Sequence, residues 1–180
     1  MKKIKLGIIG CGIAARDLHL PALEKLKDKF EITVLCNHTE QKAKDLSDYL
    51  GKIPYVLDYH EMLKRSDVEA VDITLPIHLN YKAAKDALLA GKHVIVEKPV
   101  TANLSEAKKI LAQSEASESV MMVAENFRYR KVFMKAKDLI KKGKIGKPYA
   151  ATWDLFNQVT LQSKYARTKW RQHPLYPGGF

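Results

Sequence analysis

The chain of 180 residues has few cysteines and no long apolar run. Its two cysteines, Cys11 and Cys36, lie far apart, and neither belongs to a CxxC pair. This spacing excludes a disulfide framework and a cysteine-based metal site, and it is typical of the reducing cytoplasm. No stretch approaches the ~18 consecutive apolar residues that a membrane-spanning helix needs. We therefore expect a cytoplasmic protein with no membrane partner and no metal site.

The N-terminal stretch MKKIKLGIIGCGIAA has a basic start and an apolar run, as a secretory signal does. A secretory signal needs an apolar region of ~7–15 residues. Here Lys5 interrupts the run, and Gly7, Gly10 and Gly12 dilute it. We therefore expect this stretch to belong to the fold and not to direct export.

Acidic residues are in the minority, because 31 Lys and Arg against 20 Asp and Glu give a net charge of +11. The lysines are spread along helical segments such as KAKDLIKKGKIGK at 135–147. The sequence contains no basic patch interleaved with aromatic residues, and no helix-turn-helix or zinc pattern. This distribution predicts a solvated basic surface and no nucleic-acid partner.

Short apolar runs alternate with longer amphipathic segments over the first ~130 residues, a pattern typical of parallel α/β sheets. Helical segments separate the apolar runs, and the clearest are at 40–51, 80–92, 103–117 and 132–146. The alternation predicts an α/β fold with a doubly wound parallel sheet of the Rossmann type. Strands are predicted at 4–10, 31–37, 55–58, 69–76, 93–98 and 119–126.

The pattern changes after Gly146. Residues 147–162, KPYAATWDLFNQVTLQ, alternate like a strand of a new antiparallel sheet, and the remainder is aromatic, basic and rich in turn residues. We therefore predict two domains. Residues 1–126 form the Rossmann domain, and residues 127–180 form the incomplete start of an α+β domain with an open sheet.

A glycine motif of the form G-x-G-x-x-G/A follows the first predicted strand and opens a helix. Gly10 permits a tight turn, Gly12 lets a pyrophosphate approach the backbone, and Ala15 allows close packing of helix and strand. Ile13 and Ala14 lie at the helix N-terminus, which favours phosphate. We expect these five residues to bind a dinucleotide. A tight turn without a ligand and a methyltransferase loop are the alternatives.

No carboxylate stands at the end of the second predicted strand, where NAD-binding proteins have one for the ribose hydroxyls. The stretch reads CNHTEQK, with Asn37, His38 and Thr39 at the strand end and Lys42 within reach. Asn37, His38 and Thr39 are candidate ribose or phosphate ligands, and the missing carboxylate favours NADP slightly over NAD. Alternatively, Asn37 ends the strand and Thr39 caps the next helix.

Ligands of open parallel sheets bind beyond the carboxyl ends of the strands. This rule places the glycine motif, CNHT, TLPIHLN, EKPV and ENFRY on one edge. Glu97 and Lys98, which end the strand HVIVEK, are therefore candidate site residues. From the residues alone, a surface ion pair worth ~0–1 kcal/mol is the alternative.

Three stretches together resemble the glucose–fructose oxidoreductase, inositol dehydrogenase and rhizopine-catabolism family, the Gfo/Idh/MocA type. They are residues 10–15, 74–100 and 124–153, and AGKHVIVEKP is the most specific part. The resemblance implies a nicotinamide-binding Rossmann domain followed by a domain with a large open sheet. It also implies an NAD(P)-dependent oxidoreductase acting on hydroxyl or keto groups of sugars, cyclitols or related polyols, and a homo-oligomer when full length.

The resemblance also assigns roles to individual residues. Lys98 matches the catalytic lysine at the reacting hydroxyl and belongs to the cofactor site beside the nicotinamide, and Glu97 matches the residue near the nicotinamide ribose. Leu75 and Pro76 match a cofactor loop, and Asn80 stands where many members have histidine. Further matches are Asn126 beside the cofactor and, on the substrate side, Arg128, Tyr129, Trp170 and Arg171.

The final residues, Gly-Gly-Phe at 178–180, match the start of a family segment that carries an Asp and a His. In the family these two residues complete the catalytic trio with the lysine, and neither position is present here. The resemblance therefore implies an N-terminal fragment with weak or no turnover alone. The alternative is a non-catalytic NAD(P)-binding or sensing module.

Overall fold

The structure, a computed structural model, describes residues 2–156, 160, 162–163 and 168–173. The chain divides into two compact units, Met1–Ala124 and Glu125–Phe180. The first unit contains a six-stranded sheet in which every pairing is parallel. Its strands are β1 (Ile4–Ile9), β2 (Phe30–Cys36), β3 (Tyr55–Val56), β4 (Ala70–Ile73), β5 (His93–Val96) and β6 (Met121–Val123).

The strand order β3-β2-β1-β4-β5-β6 confirms the predicted Rossmann fold. The order reverses at β1, which lies between β2 and β4, and such a reversal opens a crevice at the carboxyl edge of the sheet. A π-helical segment (Ala15–His19) follows β1 and continues into α1. The helices of this unit are α1 (Leu20–Lys25), α2 (Glu40–Tyr49), α3 (Tyr59–Leu63), α4 (Ile77–Leu89) and α5 (Leu104–Glu115).

Two apolar clusters cover the two faces of the sheet, because successive strand residues point to opposite sides. One cluster contains Ile8 and Leu35, which pack with Ala15 and Leu20. The other cluster, on the opposite face, contains Ile9. Burial on both faces explains why these strands are continuous apolar runs in the sequence. The alternation also decides which polar side chains can meet on one face.

Local signals in the sequence fix several helix ends. The side chain of Asn103 caps α5 by accepting a hydrogen bond from the Glu106 amide at 2.9 Å. Asp58 caps α3 in the same way through the His60 amide, also at 2.9 Å. Gly91 follows α4 with φ +70°, the left-handed conformation typical of a helix end. These three helices therefore start or stop where the sequence favours it.

The loop after β4 begins three residues earlier than predicted. The strand predicted at 69–76 is only Ala70–Ile73, and the helix predicted at 80–92 begins at Ile77. Pro76 takes the N-cap position of that helix with φ −57° and ψ 147°. The apolar run therefore continues past the end of the strand into a loop that borders the crevice.

The second unit contains a 3₁₀ helix (Asn126–Tyr129), α6 (Lys131–Lys141) and α7 (Lys169–Gln172). Phe127, Phe133 and Trp153 pack together with ring centroids 5.2–6.4 Å apart. The strand predicted at 147–162 is wrong over 147–156, where the backbone has no regular structure. An isolated strand leaves its backbone groups unpaired, and the described residues of this unit include no strand beside which it could lie. Across both units, none of the described helices has the length and apolar character needed to span a bilayer.

Candidate functional site

The loop after β1 is bonded to both neighbouring strands. The Gly10 amide donates to the Cys36 carbonyl at 2.8 Å, and the Thr74 hydroxyl donates to the Gly10 carbonyl at 2.6 Å. Gly10 has φ +102°, and a Cβ added there would lie 2.7 Å from the Thr74 carbonyl oxygen. Position 10 therefore requires glycine both for its backbone conformation and for the space available.

Gly12 differs, because a Cβ added at this position would meet no atom of the described residues within 4 Å. A glycine with no steric reason inside the protein fits a ligand that approaches the backbone, as a pyrophosphate does. Ala15, three residues on, is fully buried against Ile8 and Leu35. The loop residues present therefore fit a dinucleotide.

The two cysteines lie beside this loop and are free thiols. Cys11 Sγ donates to the Cys36 carbonyl at 3.6 Å, and both side chains are buried. Burial raises the pKa of Cys11 to about 11 and that of Cys36 to about 12. Thiols of this kind are packing residues and poor nucleophiles at neutral pH.

Asn37 connects the glycine loop to the end of β2. Its Oδ1 accepts a hydrogen bond from the Cys11 amide at 3.1 Å, and its Nδ2 donates to the Thr39 carbonyl at 3.0 Å. The side chain is thus engaged within the protein, whereas His38 and Thr39 are exposed. Thr39 occupies the N-cap position of α2 without a capping bond from its side chain. His38 and Thr39 are the strand-end residues accessible to a ligand.

A cavity of about 310 Å³ lies at the carboxyl ends of β2 and β3. Its apolar wall includes Leu57, Leu75 and Leu79, and its polar groups include His38 and Lys82. Apolar walls with a few polar groups are typical of sites for flat organic ligands. The cavity lies at the edge where the rule for open sheets places the ligand.

The segment Glu97-Lys98-Pro99 follows β5 and is held by Asn80. Asn80 is 1% exposed, and its Nδ2 donates to the Glu97 carbonyl at 3.2 Å and to the Pro99 carbonyl at 3.0 Å. Asn80 was expected beside the cofactor, and here its amide supports the backbone of the segment. The side chain of Lys98 is exposed at the edge of the sheet.

His19 forms a bridge between two carboxylates, those of Asp72 and Glu97. The sequence analysis did not predict that these three residues form a group. Its Nδ1 lies 2.8 Å from Asp72 Oδ2, and its Nε2 lies 2.9 Å from Glu97 Oε1. The three side chains are 10%, 3% and 17% exposed in the order His19, Asp72, Glu97. A histidine with a carboxylate at each ring nitrogen donates from both, which requires the cation.

Opposing effects set the pKa values of this bridge. Burial lowers the pKa of His19, but the hydrogen bonds and charges of Asp72 and Glu97 outweigh it and raise the pKa to about 10. Burial is the largest single effect on Glu97 and raises its pKa, but the hydrogen bond and charge of His19, together with the amide and charge of Lys98, make the net shift downward. At neutral pH the bridge is therefore an imidazolium between charged partners.

One signal in the sequence could have revealed the bridge. Asp72 interrupts the apolar run of β4, and a buried carboxylate needs a partner. Asp72 is in register with Ile95, two residues before Glu97, so the period of two places both carboxylates on one face. The identity of the cation could not be found in this way.

The second unit holds the remaining predicted residues. Asn126, Arg128 and Tyr129 are exposed on the 3₁₀ helix. Arg171 Nη1 donates to the Thr168 hydroxyl at 3.3 Å. The side chain of Trp170 and residues 178–180 lie outside the part of the chain that the structure describes.

Fold and site together define a Rossmann-type dinucleotide-binding protein. A family profile described as an oxidoreductase family with an NAD-binding Rossmann fold, the Gfo/Idh/MocA type, matches residues 4–125. The chain belongs to this family. The match confirms the resemblance noted in the sequence and argues against the methyltransferase alternative.

Individual proteins support the assignment. The crystal structure of an oxidoreductase from Thermotoga maritima superposes with a TM-score of 0.93 at 43% identity, covering 99% of this chain and 55% of that one. A 3-ketoreductase from Actinomadura kijaniata, crystallised with TDP-benzene and NADP, has a TM-score of 0.71 at 32% identity. The match covers 81% of this chain and 45% of the ketoreductase. An uncharacterised protein from Saccharomyces cerevisiae is 38% identical over 100% of this chain and 52% of its own.

These figures show that the chain spans about half the length of the proteins it matches: 55%, 45% and 52%. The aligned half includes the glycine loop, the Glu97-Lys98 segment and the whole parallel sheet, all of which lie within residues 4–125.

The two glycines of the loop should respond differently to alanine. Gly10→Ala should lower the free energy of unfolding by about 1–3 kcal/mol, because it forces a left-handed backbone and a contact with Thr74. Gly12→Ala should change it by less than about 0.5 kcal/mol, because the added methyl group meets open space. Urea unfolding followed by circular dichroism measures both. Similar losses in the two variants would contradict the geometry described.

The stability of the chain should depend on the charge of His19. Its pKa of about 10 in the folded state exceeds the unfolded value of 6.5, so its contribution is complete below pH 6.5 and disappears as the pH rises toward 10. The difference in unfolding free energy between the native protein and His19→Gln should therefore shrink from pH 6.5 to 10. We expect a decrease of more than about 1.4 kcal/mol, the equivalent of one pKa unit.

Urea titrations at several pH values give the unfolding free energy of both proteins. In the difference between the two, the contributions of the lysines and thiols cancel, because both proteins contain them. A difference that stays constant across the range would show that His19 is uncharged in the bridge.

Proposed function

We propose that this chain is the cofactor-binding part of an oxidoreductase that transfers a hydride between NADP or NAD and a hydroxyl or keto group of a sugar, cyclitol or related polyol. The observation that carries the proposal is the joint placement of two features on one sheet edge. They are a glycine loop with open space at Gly12 and a rigid segment that presents Lys98.

The described residues supply a site for each part of the dinucleotide. The loop from Gly10 to Ala15 accommodates the pyrophosphate. The cavity at the ends of β2 and β3, with Leu75 and Leu79 in its wall, accommodates the adenosine. The nicotinamide end is then directed toward β5 and Glu97, because the cofactor of this fold crosses the point where the strand order reverses.

A bound nicotinamide supplies the hydride donor or acceptor. Lys98 is exposed at the sheet edge and can hydrogen-bond through its ammonium group to the substrate oxygen. Such a bond stabilises negative charge on that oxygen when the C–H bond breaks or forms. Glu97, held as a carboxylate by His19, can accept a hydrogen bond from a ribose hydroxyl. These two residues thus orient the reactants on either side of the transferred hydride.

The substrate class is supported by the 3-ketoreductase from Actinomadura kijaniata, whose structure contains NADP and TDP-benzene. That protein is 32% identical to this chain. A keto group on a sugar ring carries neighbouring hydroxyls, which suit the polar Asn126, Arg128 and Tyr129. We assign these three residues, with Trp170 and Arg171, to the substrate side.

The residues around the adenosine cavity favour NADP over NAD. The end of β2 carries no carboxylate, and Lys42 is exposed in the first turn of α2. Lys82 lines the cavity from α4. Asp58 also lines it, but its Oδ1 accepts from His60 Nδ1 at 2.6 Å and is engaged. A 2′-phosphate would therefore meet the positive charge of two lysines, which the carboxylates of Asp58 and of Glu40 in the first turn of α2 partly oppose.

Cofactor preference tests this assignment directly. The chain should bind NADPH about tenfold more tightly than NADH, as one added charge contact of ~1.4 kcal/mol implies. Lys42→Ala should weaken NADPH binding and leave NADH binding unchanged, because only NADPH has the 2′-phosphate. Lys44→Ala, an exposed neighbour on the same helix, is the matched control. Titration of cofactor fluorescence measures the six affinities of the three proteins for the two cofactors, and an equal effect of Lys42→Ala on both cofactors would refute the role given to this lysine.

The role of Lys98 is tested by turnover. Reduction of NADP or NAD is measured with a panel of sugars and polyols, and any rate observed should fall about 10²-fold or more in Lys98→Ala. Cofactor affinity should change less than about threefold, since an exposed lysine at the substrate oxygen contributes little to cofactor binding. Cofactor binding without turnover on any substrate, even after the chain is extended by the family segment that carries the Asp and the His, would favour the non-catalytic binding module instead. A full rate in Lys98→Ala would remove Lys98 from the mechanism.

A further inference from the structure

The bridge of His19, Asp72 and Glu97 joins three elements at the point where the strand order reverses. His19 ends the π-helical segment that follows the glycine loop, Asp72 lies in β4, and Glu97 follows β5. Both distances, 2.8 Å to Asp72 and 2.9 Å to Glu97, are those of charge-assisted hydrogen bonds. The ring therefore ties the helix at the pyrophosphate end of the proposed site to the segment at its nicotinamide end.

Asp72 serves only His19 among the described residues. Its Oδ2 accepts from the ring, and its Oδ1 is buried with no hydrogen-bond partner. A carboxylate that is 3% exposed and has one partner depends on the charge of that partner. Asp72 therefore fixes both the orientation and the charge of the ring, and the ring presents its other nitrogen to Glu97.

Glu97 is held at both oxygens. Oε1 accepts from His19 Nε2, and Oε2 accepts from the Lys98 amide at 3.1 Å. Its backbone carbonyl is bonded to Asn80 at 3.2 Å. Of these contacts, only the one from His19 carries positive charge directly to the carboxylate. Loss of that contact would leave no cation between Glu97 and Asp72.

We propose that His19 is a positioning residue of the cofactor site, which acts through Glu97 by holding this carboxylate charged and oriented toward the bound nucleotide. This role rests on the function proposed above. The charged groups that face the bridge are Asp72 from β4 and Glu97 and Lys98 from the segment after β5. Without His19, burial beside a second carboxylate raises the pKa of Glu97, because the cation that opposed this effect is gone. Glu97 then accepts a ribose hydrogen bond only at higher pH.

The experiment measures NADPH and NADH affinity between pH 5.5 and 8.5. In the native protein the affinity should follow only the ionisation of the cofactor phosphates. In His19→Gln it should fall about tenfold at pH 6, the value of one lost hydrogen bond to a charged group. The loss should largely disappear by pH 8.5, when Glu97 ionises again. His93→Gln, which replaces an exposed histidine at the opposite end of β5, is the control and should match the native profile.

A double variant separates positioning from folding. His19→Gln with Asp72→Asn removes one positive and one negative charge, so its net charge equals that of the native protein. Glu97 then faces no second carboxylate, and the acid-side loss of affinity should shrink by at least half on a logarithmic scale. A merely structural role would instead make affinity follow the unfolding midpoint at every pH. Should His19→Gln fail to fold, the double variant is compared with the native protein: weaker cofactor binding at an unchanged unfolding midpoint supports the positioning role, and equal affinity overturns it.

The outcomes are distinct. Binding by the native chain, with an acid-side loss in His19→Gln that the double variant reduces, supports the proposal. Equal affinities and pH profiles in the native protein and His19→Gln overturn the positioning role while leaving the proposed function intact. A native chain that binds neither NADPH nor NADH overturns the proposed function, and the positioning role falls with it.

Discussion

The site depends on how closely the loop after β1 approaches β2 and β4. Gly10 bonds to the Cys36 carbonyl and to the Thr74 hydroxyl at the same time, and no side chain fits between it and Thr74. This approach fixes where the following helix begins. Ala15 can then pack on the sheet, and His19, four residues further along, reaches over β4. The position of the helix that carries Ala15 and His19 thus follows from one residue without a side chain.

Buried charge is the second constraint. A strand covered on both faces excludes ionised groups unless they are paired, yet β4 contains Asp72 and β5 leads directly into Glu97. One imidazolium forms a hydrogen bond with each of them, and its pKa of about 10 keeps it charged throughout the physiological range. The sheet therefore holds two carboxylates at the crevice without unpaired charge beside Lys98. This arrangement places a rigid anion and an exposed cation next to each other in the chain.

Much of the fold could be predicted because its determinants are local. Alternating apolar runs and amphipathic segments indicate the parallel sheet, and the glycine motif marks the loop after β1. The partners of Asn37 and Asn80 could not be predicted, since a pattern shows that an amide is present but not what it bonds. His19 was missed because its contacts with Asp72 and Glu97 cross 53 and 78 positions of sequence. The strand predicted at 147–162 is wrong over 147–156 because alternation alone cannot supply a neighbouring strand.

The two buried thiols have a practical consequence. Cys11 lies inside the glycine loop and Cys36 at the end of β2, and both are protonated and shielded in the folded state. Alkylating reagents attack thiolates that solvent can reach. Modification of Cys11 therefore requires the loop to separate from its neighbouring strands. The rate at which Cys11 is labelled therefore reports how often the loop separates from these strands. No added probe is needed to measure this motion.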